Sequence, residues 1–248
     1  MSDEVFTYWE GTPYPFTQLC IDSISRIFGT RHQHVTPDTL PDWVHVPEAL
    51  MECDHLLFRS DYIRTLLLRE HGGWWFDCDV LLFRDPSELV GGVPKVWNLI
   101  YKVGGRWTPL INIGTLFTLA RSPWICAIAA EFATVPAAGL PMTRQNEDIG
   151  QDIYERHSQP GSGVEVGSEY DFNSTYNVDA DFAPFWDGRI DLHSAGYGLH
   201  IGASLSRWAA HEGSVTAEET LRAPSLDQLV ERFPRSVVAQ YLHRYGPP

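Results

Sequence analysis

Asp77 and Asp79 flank Cys78 in the run Trp74-Trp75-Phe76-Asp77-Cys78-Asp79-Val80-Leu81-Leu82-Phe83. If residues 74–83 form one strand, carboxylates two positions apart point to the same side. Apolar residues on both flanks would bury that strand. Two carboxylates at its tip are then costly unless a cation neutralises them. Oxygen ligation favours a hard divalent ion such as Mg²⁺ or Mn²⁺. Ser60, Asp61 and Arg64 open an amphipathic helix over 59–71, whose buried side is Ile63, Leu66, Leu67 and Leu68. Asp61 and Arg64 are three apart and share a helix face. Gly72-Gly73 ends the helix, because glycine accepts left-handed C-terminal geometry. Packed antiparallel to the following strand, the helix start would approach the acidic strand's exit. A guanidinium can grip a diphosphate or sugar hydroxyls, and a carboxylate can accept from hydroxyls. Metal, diphosphate and polyol together describe a nucleotide-sugar.

The elements that must hold these groups alternate. Strands are predicted over 5–9, 34–36, 43–46, 74–83, 96–102 and 111–119. Helices are predicted over 16–28, 47–53, 59–71, 122–134, 147–157 and 225–233. Residues 159–168 read as a Gly/Ser/Pro loop, and 169–208 as short strands and loops. Alternation through the first half predicts an α/β fold with a mostly parallel sheet. In such sheets ligands bind beyond the strands' carboxyl ends, where Asp77 and Asp79 lie.

The 248 residues fit one α/β domain. Eighteen basic and 32 acidic residues give a net charge of −14, which argues against a broad nucleic-acid footprint. A nucleic-acid acceptor is therefore disfavoured. Cys20, Cys53, Cys78 and Cys126 are scattered without a CxxC pair, as expected of reduced thiols in a cytoplasmic protein. The acidic N-terminus lacks a signal-peptide core, and no apolar run approaches a transmembrane length.

The order Ser60-Asp61-x-x-Arg64-x-x-x-Leu68, then Gly72-Gly73-x-x-x-Asp77-x-Asp79-Val80, resembles the DXD-motif glycosyltransferase family. That family includes the initiating α-mannosyltransferase, the α-1,4-galactosyltransferases and the glucosylating domains of clostridial toxins. Tyr8-Trp9-Glu10-Gly11 resembles its opening strand, Asn112-Ile113-Gly114 its Asn-containing strand, and His200 with Ser206-x-Trp208 its C-terminal region. Trp75 takes a place where the family more often has Tyr or another aromatic. Residues 141–168 depart most from the family pattern.

The resemblance implies a GT-A-like single domain with a mixed, mostly parallel sheet flanked by helices. Residues 1–120 would form the nucleotide-sugar-binding half. Residues 121–248 would form the acceptor side and closing segment. It also implies a UDP- or GDP-sugar donor, Mn²⁺ or Mg²⁺, and retention of anomeric configuration. Asp79 would be the main metal ligand, with Asp77 on the ribose and supporting the metal, and His200 on metal or phosphate. Asp61 and Arg64 would bind donor hydroxyls, with Ser60 beside them. Trp9 would stack on the base, Ser206 and Trp208 would close over the diphosphate, and Asn112 and Gln151 would lie near the reacting carbon. The acceptor stays open among a glycan, a lipid-linked sugar, a protein and a modified nucleobase.

Two other readings compete. A haloacid-dehalogenase-type phosphatase also carries D-x-D after an apolar strand, but Leu81 stands where Thr or Val is expected. A degenerate, non-catalytic sugar-binding protein is the third, although such a protein has no physical need for Asp61, Arg64, Asp77 and Asp79 together.

Overall fold

The computed structural model describes residues 4–103, 106–138, 140, 149–172, 175–177, 192, 196–200 and 224–246. The strands are β1 (Val5–Tyr8), β2 (His32–Val35), β3 (Gly73–Phe76), β4 (Val80–Leu82), β5 (Lys95–Val103), β6 (Arg106–Thr118), β7 (Glu165–Gly167), β8 (Thr175–Asn177) and β9 (Gly198–His200). The helices are α1 (Pro15–Phe28), α2 (Glu48–Met51), α3 (Leu56–His71), α4 (Pro123–Phe132), α5 (Ile149–His157), α6 (Leu226–Arg232) and α7 (Val237–Tyr245).

The main sheet runs β2-β1-β3-β6-β5-β7, with β8 also on β5. β1 is parallel to β2 and β3, β5 is parallel to β7 and β8, and β6 is antiparallel to both β3 and β5. This is the mixed, mostly parallel, helix-flanked sheet that the sequence predicts. All four residues of β1 are buried, as expected of a strand covered on both faces. The two-residue period sorts its side chains. Phe6, Tyr8 and Trp75 join the core under α3, α4 and α5. Val5, Trp74 and Phe76 join Ile24 and Phe28 of α1 on the other face. Each fully buried side chain of this kind contributes roughly 1.5–3 kcal/mol.

α3 passes into β3 through Gly72 and Gly73, whose φ angles are 68° and 90°. A Cβ on Gly72 would come within 3.0 Å of Thr118 O and closer still to Ala120 N. One on Gly73 would crowd the Glu4 carbonyl. Only glycine satisfies both the dihedral and the space.

The strand predicted over 74–83 is two strands in two sheets. β3 stops at Phe76, Asp77 N donates to Gly114 O at 2.8 Å, and Val80 N donates to Asp77 O at 3.0 Å to close a turn. β4 then leaves the main sheet and pairs antiparallel with β9. The strand predicted over 43–46 is absent; a short 3₁₀ turn at Leu40–Asp42 precedes a loop there. β6 starts at Arg106 and is longer than predicted. β7 lies in the predicted loop and is held by the exposed side of β5. α7 was not predicted, yet Ser236 accepts from Ala239 N at 3.1 Å as its N-cap and Gly246 follows its end. Among the described residues, no helix is long and apolar enough to cross a membrane.

Candidate functional site

Asp77, Cys78 and Asp79 occupy the β3–β4 turn, not a continuous strand. The carboxylates still converge, and β9, paired with β4, delivers a third group to them. The β4–β9 register sets Val80 opposite His200. His200 Nε2 lies 3.2 Å from Asp79 Oδ1. One ligand atom each from Asp77, Asp79 and His200 falls within 4.8 Å of the others.

β6 runs beside this cluster and presents Gly114. A Cβ there would meet Asp77 Oδ2 at 2.8 Å, His200 Cε1 at 2.6 Å and His200 Nε2 at 2.8 Å. The missing side chain leaves the space between two ligand atoms open. Two carboxylates and one imidazole around such a space form a donor set suited to a divalent ion.

α3 supplies the neighbouring half. His55 caps it, accepting from Phe58 N at 3.1 Å. Arg64 is 2 % exposed. Its Nη2 donates to Asp77 Oδ1 at 2.7 Å and lies 3.2 Å from Asp61 Oδ1. Its guanidinium carbon sits 5.0 Å from the Trp75 ring centroid. Trp75 Nε1 also donates to Asp77 Oδ1, at 2.7 Å. Asp77 is thus fixed by two donors from one side. Arg64 Nε and Nη1 are buried and have no hydrogen-bond partner among the described residues.

Burial alone would lower the Arg64 pKa, but Asp77 and then Asp61 reverse this and raise it. Burial would likewise lower that of His200, and the Asp79 carboxylate, followed by Asp77, outweighs it. Burial raises the Cys78 thiol well above its usual value, and the flanking carboxylates add to the effect. Cys78 is therefore a thiol donating to Tyr8 O at 3.3 Å. All four cysteines are free.

The other predicted residues fall at graded distance from this centre. Ser60 is half-buried one residue before Asp61. Asn112 is fully buried on β6, where its Oδ1 accepts from Gly114 N at 3.0 Å. This bond holds the backbone that shapes the cluster. Gln151 donates to Ile111 O at 2.7 Å and to Glu155 Oε1 at 2.9 Å, tying α5 to β6. Trp9 follows β1, half-buried, with its ring edge-on to Tyr14 at 6.4 Å and Nε1 buried without a partner among the described residues. Ser206 and Trp208 lie outside the described residues.

Sequence reasoning missed the structural use of Gly114 and Gly150. A glycine inside a strand signals close approach, but which groups approach depends on strand order. Arg59, at the start of α3, carries no sequence signal of its partners. It is anchored: Nε donates to Glu10 Oε1 at 2.8 Å, Nη2 pairs with Glu10 Oε2, and Nη1 donates to Met51 O and Cys53 O.

Residues 3–91 match the family model described as "Capsular polysaccharide synthesis protein". No curated protein matches the chain significantly. Two solved structures are similar at low identity. One is described as a glycosyltransferase involved in glycosylation of the major capsid of PBCV-1; it is 13 % identical over 80 % of this chain and 94 % of that one, with a TM-score of 0.45. The other is the PaToxG glycosyltransferase, 12 % identical over 62 % of this chain and 68 % of that one, with a TM-score of 0.40. The family-model match contains Ser60, Asp61, Arg64, Asp77 and Asp79, the residues that carry the DXD-family resemblance.

Proposed function

We propose that the protein is a metal-dependent, retaining glycosyltransferase using a UDP- or GDP-sugar. The observation that carries this is the buried Arg64, two of whose nitrogens have no partner among the described residues, beside the Asp77–Asp79–His200 cluster. A buried guanidinium with open donors favours a hydroxyl-rich or anionic ligand. Two carboxylates and an imidazole favour Mn²⁺ over Mg²⁺, which prefers all-oxygen shells.

When bound, the ion would neutralise charge on the departing diphosphate. Asp79 and His200 would hold it, with Asp77 in support. Asp77 would keep its orientation through Arg64 and Trp75. Arg64 would use Nε and Nη1 on donor oxygens, and Asp61 would accept from sugar hydroxyls. Trp9 would offer a ring to the base. Residues 1–120 would form the donor half and 121–248 the acceptor half of one domain. The capsular-polysaccharide family match favours a glycan acceptor over a protein or nucleobase.

The test is a thermal-shift panel of UDP- and GDP-sugars with and without Mn²⁺, paired with nucleotide release. One sugar nucleotide at about a hundredfold its Kd should raise the Tm by about 5–10 °C, and only with Mn²⁺. No shift and no nucleotide release with any donor would overturn the reading.

A further inference from the structure

Asp61 is bracketed by two elements. Arg64 Nη2 lies 3.2 Å from Asp61 Oδ1 on its own helix. The first turn of α5 lies against the other side. A Cβ built on Gly150 would meet Asp61 Cγ at 2.7 Å and Cβ at 2.8 Å, and would come closer still to Oδ2. No positive φ explains this glycine, since Gly150 is absent from the residues with left-handed backbone. Space is its physical reason. α5 cannot back away freely, because it is fastened to β6 and to α3 just after the contact. Gln151 Nε2 donates to Ile111 O of β6 at 2.7 Å. The Tyr154 hydroxyl lies 2.8 Å from Thr65 Oγ1, and Thr65 Oγ1 donates to Asp61 O at 2.7 Å. Tyr154 is fully buried between Trp124 and Phe132.

We infer that Gly150 is a positioning residue for the donor site: its lack of a side chain lets the α5 first turn set the orientation of the Asp61 carboxylate. The inference rests on the reading of Asp61 as a donor-sugar ligand. A methyl at position 150 must turn Asp61 away from Arg64, because α5 is tied to β6 and α3. Gly150 itself does not reach the donor.

The experiment combines a stability cycle with kinetics on the full chain. Gly150→Ala alone should lower the Tm. Combined with Asp61→Ala, which removes the obstructing carboxylate, the same substitution should leave the Tm unchanged or raise it, because alanine favours the helix. Combined with the isosteric Asp61→Asn, it should still lower the Tm. Equal losses in all backgrounds would overturn the contact. In Mn²⁺-supported donor hydrolysis, Gly150→Ala should raise the donor KM about tenfold with a smaller change in kcat. The Tm shift caused by Mn²⁺ alone should be preserved. A wild-type donor KM in Gly150→Ala would overturn the positioning role. Absence of turnover in the wild-type protein would remove the transferase reading instead, and the stability cycle would still decide the contact.

Discussion

Arg59 and Arg64 stand five residues apart on α3 and have opposite surroundings. Every guanidinium nitrogen of Arg59 is used, on Glu10 and on the carbonyls of Met51 and Cys53. Arg64 is more deeply buried and faces Asp61 and Asp77, yet Nε and Nη1 have no partner among the described residues. Folding alone accounts for Arg59: a saturated fork pins the loop after β1 to the start of α3. It does not account for Arg64, because burying N–H groups without partners costs about 1–3 kcal/mol each, more on a charged group. A ligand that fills them offsets that cost. Saturation, not burial or charge, separates Arg59 from Arg64, the arginine proposed to bind the donor.

The sharpest way to break this contrast lies at the cluster beside Arg64. Asp79→Ala should reduce turnover about a thousandfold or more, since several kcal/mol of charge stabilisation leave with the ion. Gly114→Ala keeps all three ligands but puts a methyl where Asp77 and His200 face each other. Its Mn²⁺ affinity should fall about 10–100-fold, the range expected when a ligand's surroundings are disturbed. Calorimetric titration measures this directly, with circular dichroism confirming the fold. Unchanged Mn²⁺ affinity in both variants would mean that the cluster is not the metal site.

How much of this could be read from the chain depends on the range of each determinant. The Arg64–Asp77 contact was legible because a helix, a glycine break and a strand lie contiguous in sequence and fold back locally. The turn at 77–79 was not. Its apolar flanks run on without a polar break, and β3 ends because of Gly114 and β9, both distant in sequence. Asn112 is expected near the reacting carbon from its motif, whereas its observed bond to Gly114 N depends on how β6 lies against the turn. The α7 cap and its apolar spacing were legible in the sequence and were overlooked.

Arg64→Lys and Arg59→Lys sharpen the comparison at smaller scale. Both keep the charge and lose the planar fork. Arg64→Lys should raise the donor KM about tenfold or more with little change in Tm, because the lost geometry serves the ligand. Arg59→Lys should do the reverse. It loses hydrogen bonds to a carboxylate and two carbonyls, about 1–3 kcal/mol in all, or a Tm drop of about 2–10 °C, with the donor KM unchanged. If the two variants gave the same pattern, saturation would not be what distinguishes these arginines.

The histidines extend the contrast to the far edge of the sheet. His200 is raised because Asp79 outweighs its burial, whereas His32 is pushed down to about 4 by burial and then by His34. His32 Nε2 lies 2.9 Å from Thr7 Oγ1, and Nδ1 lies 2.7 Å from Ser25 Oγ. His34 Nδ1 lies on the same Thr7 hydroxyl, and burial lowers its pKa too. The hydroxyls from β1 and α1 satisfy neutral imidazoles, and at His34 burial outweighs the opposing pull of the Asp22 carboxylate. Because the folded pKa of His32 lies below the unfolded value of 6.5, the unfolded chain takes up the proton first. Stability is therefore lost as pH falls from 6.5 through about 4, by at most about 3 kcal/mol from this group. His32→Gln keeps hydrogen-bonding capacity without titrating in this range. Its Tm should drop less than that of the wild type between pH 7 and pH 4.5. Parallel melting curves for the two proteins across that interval would place the acid sensitivity elsewhere and leave β2 a purely structural edge.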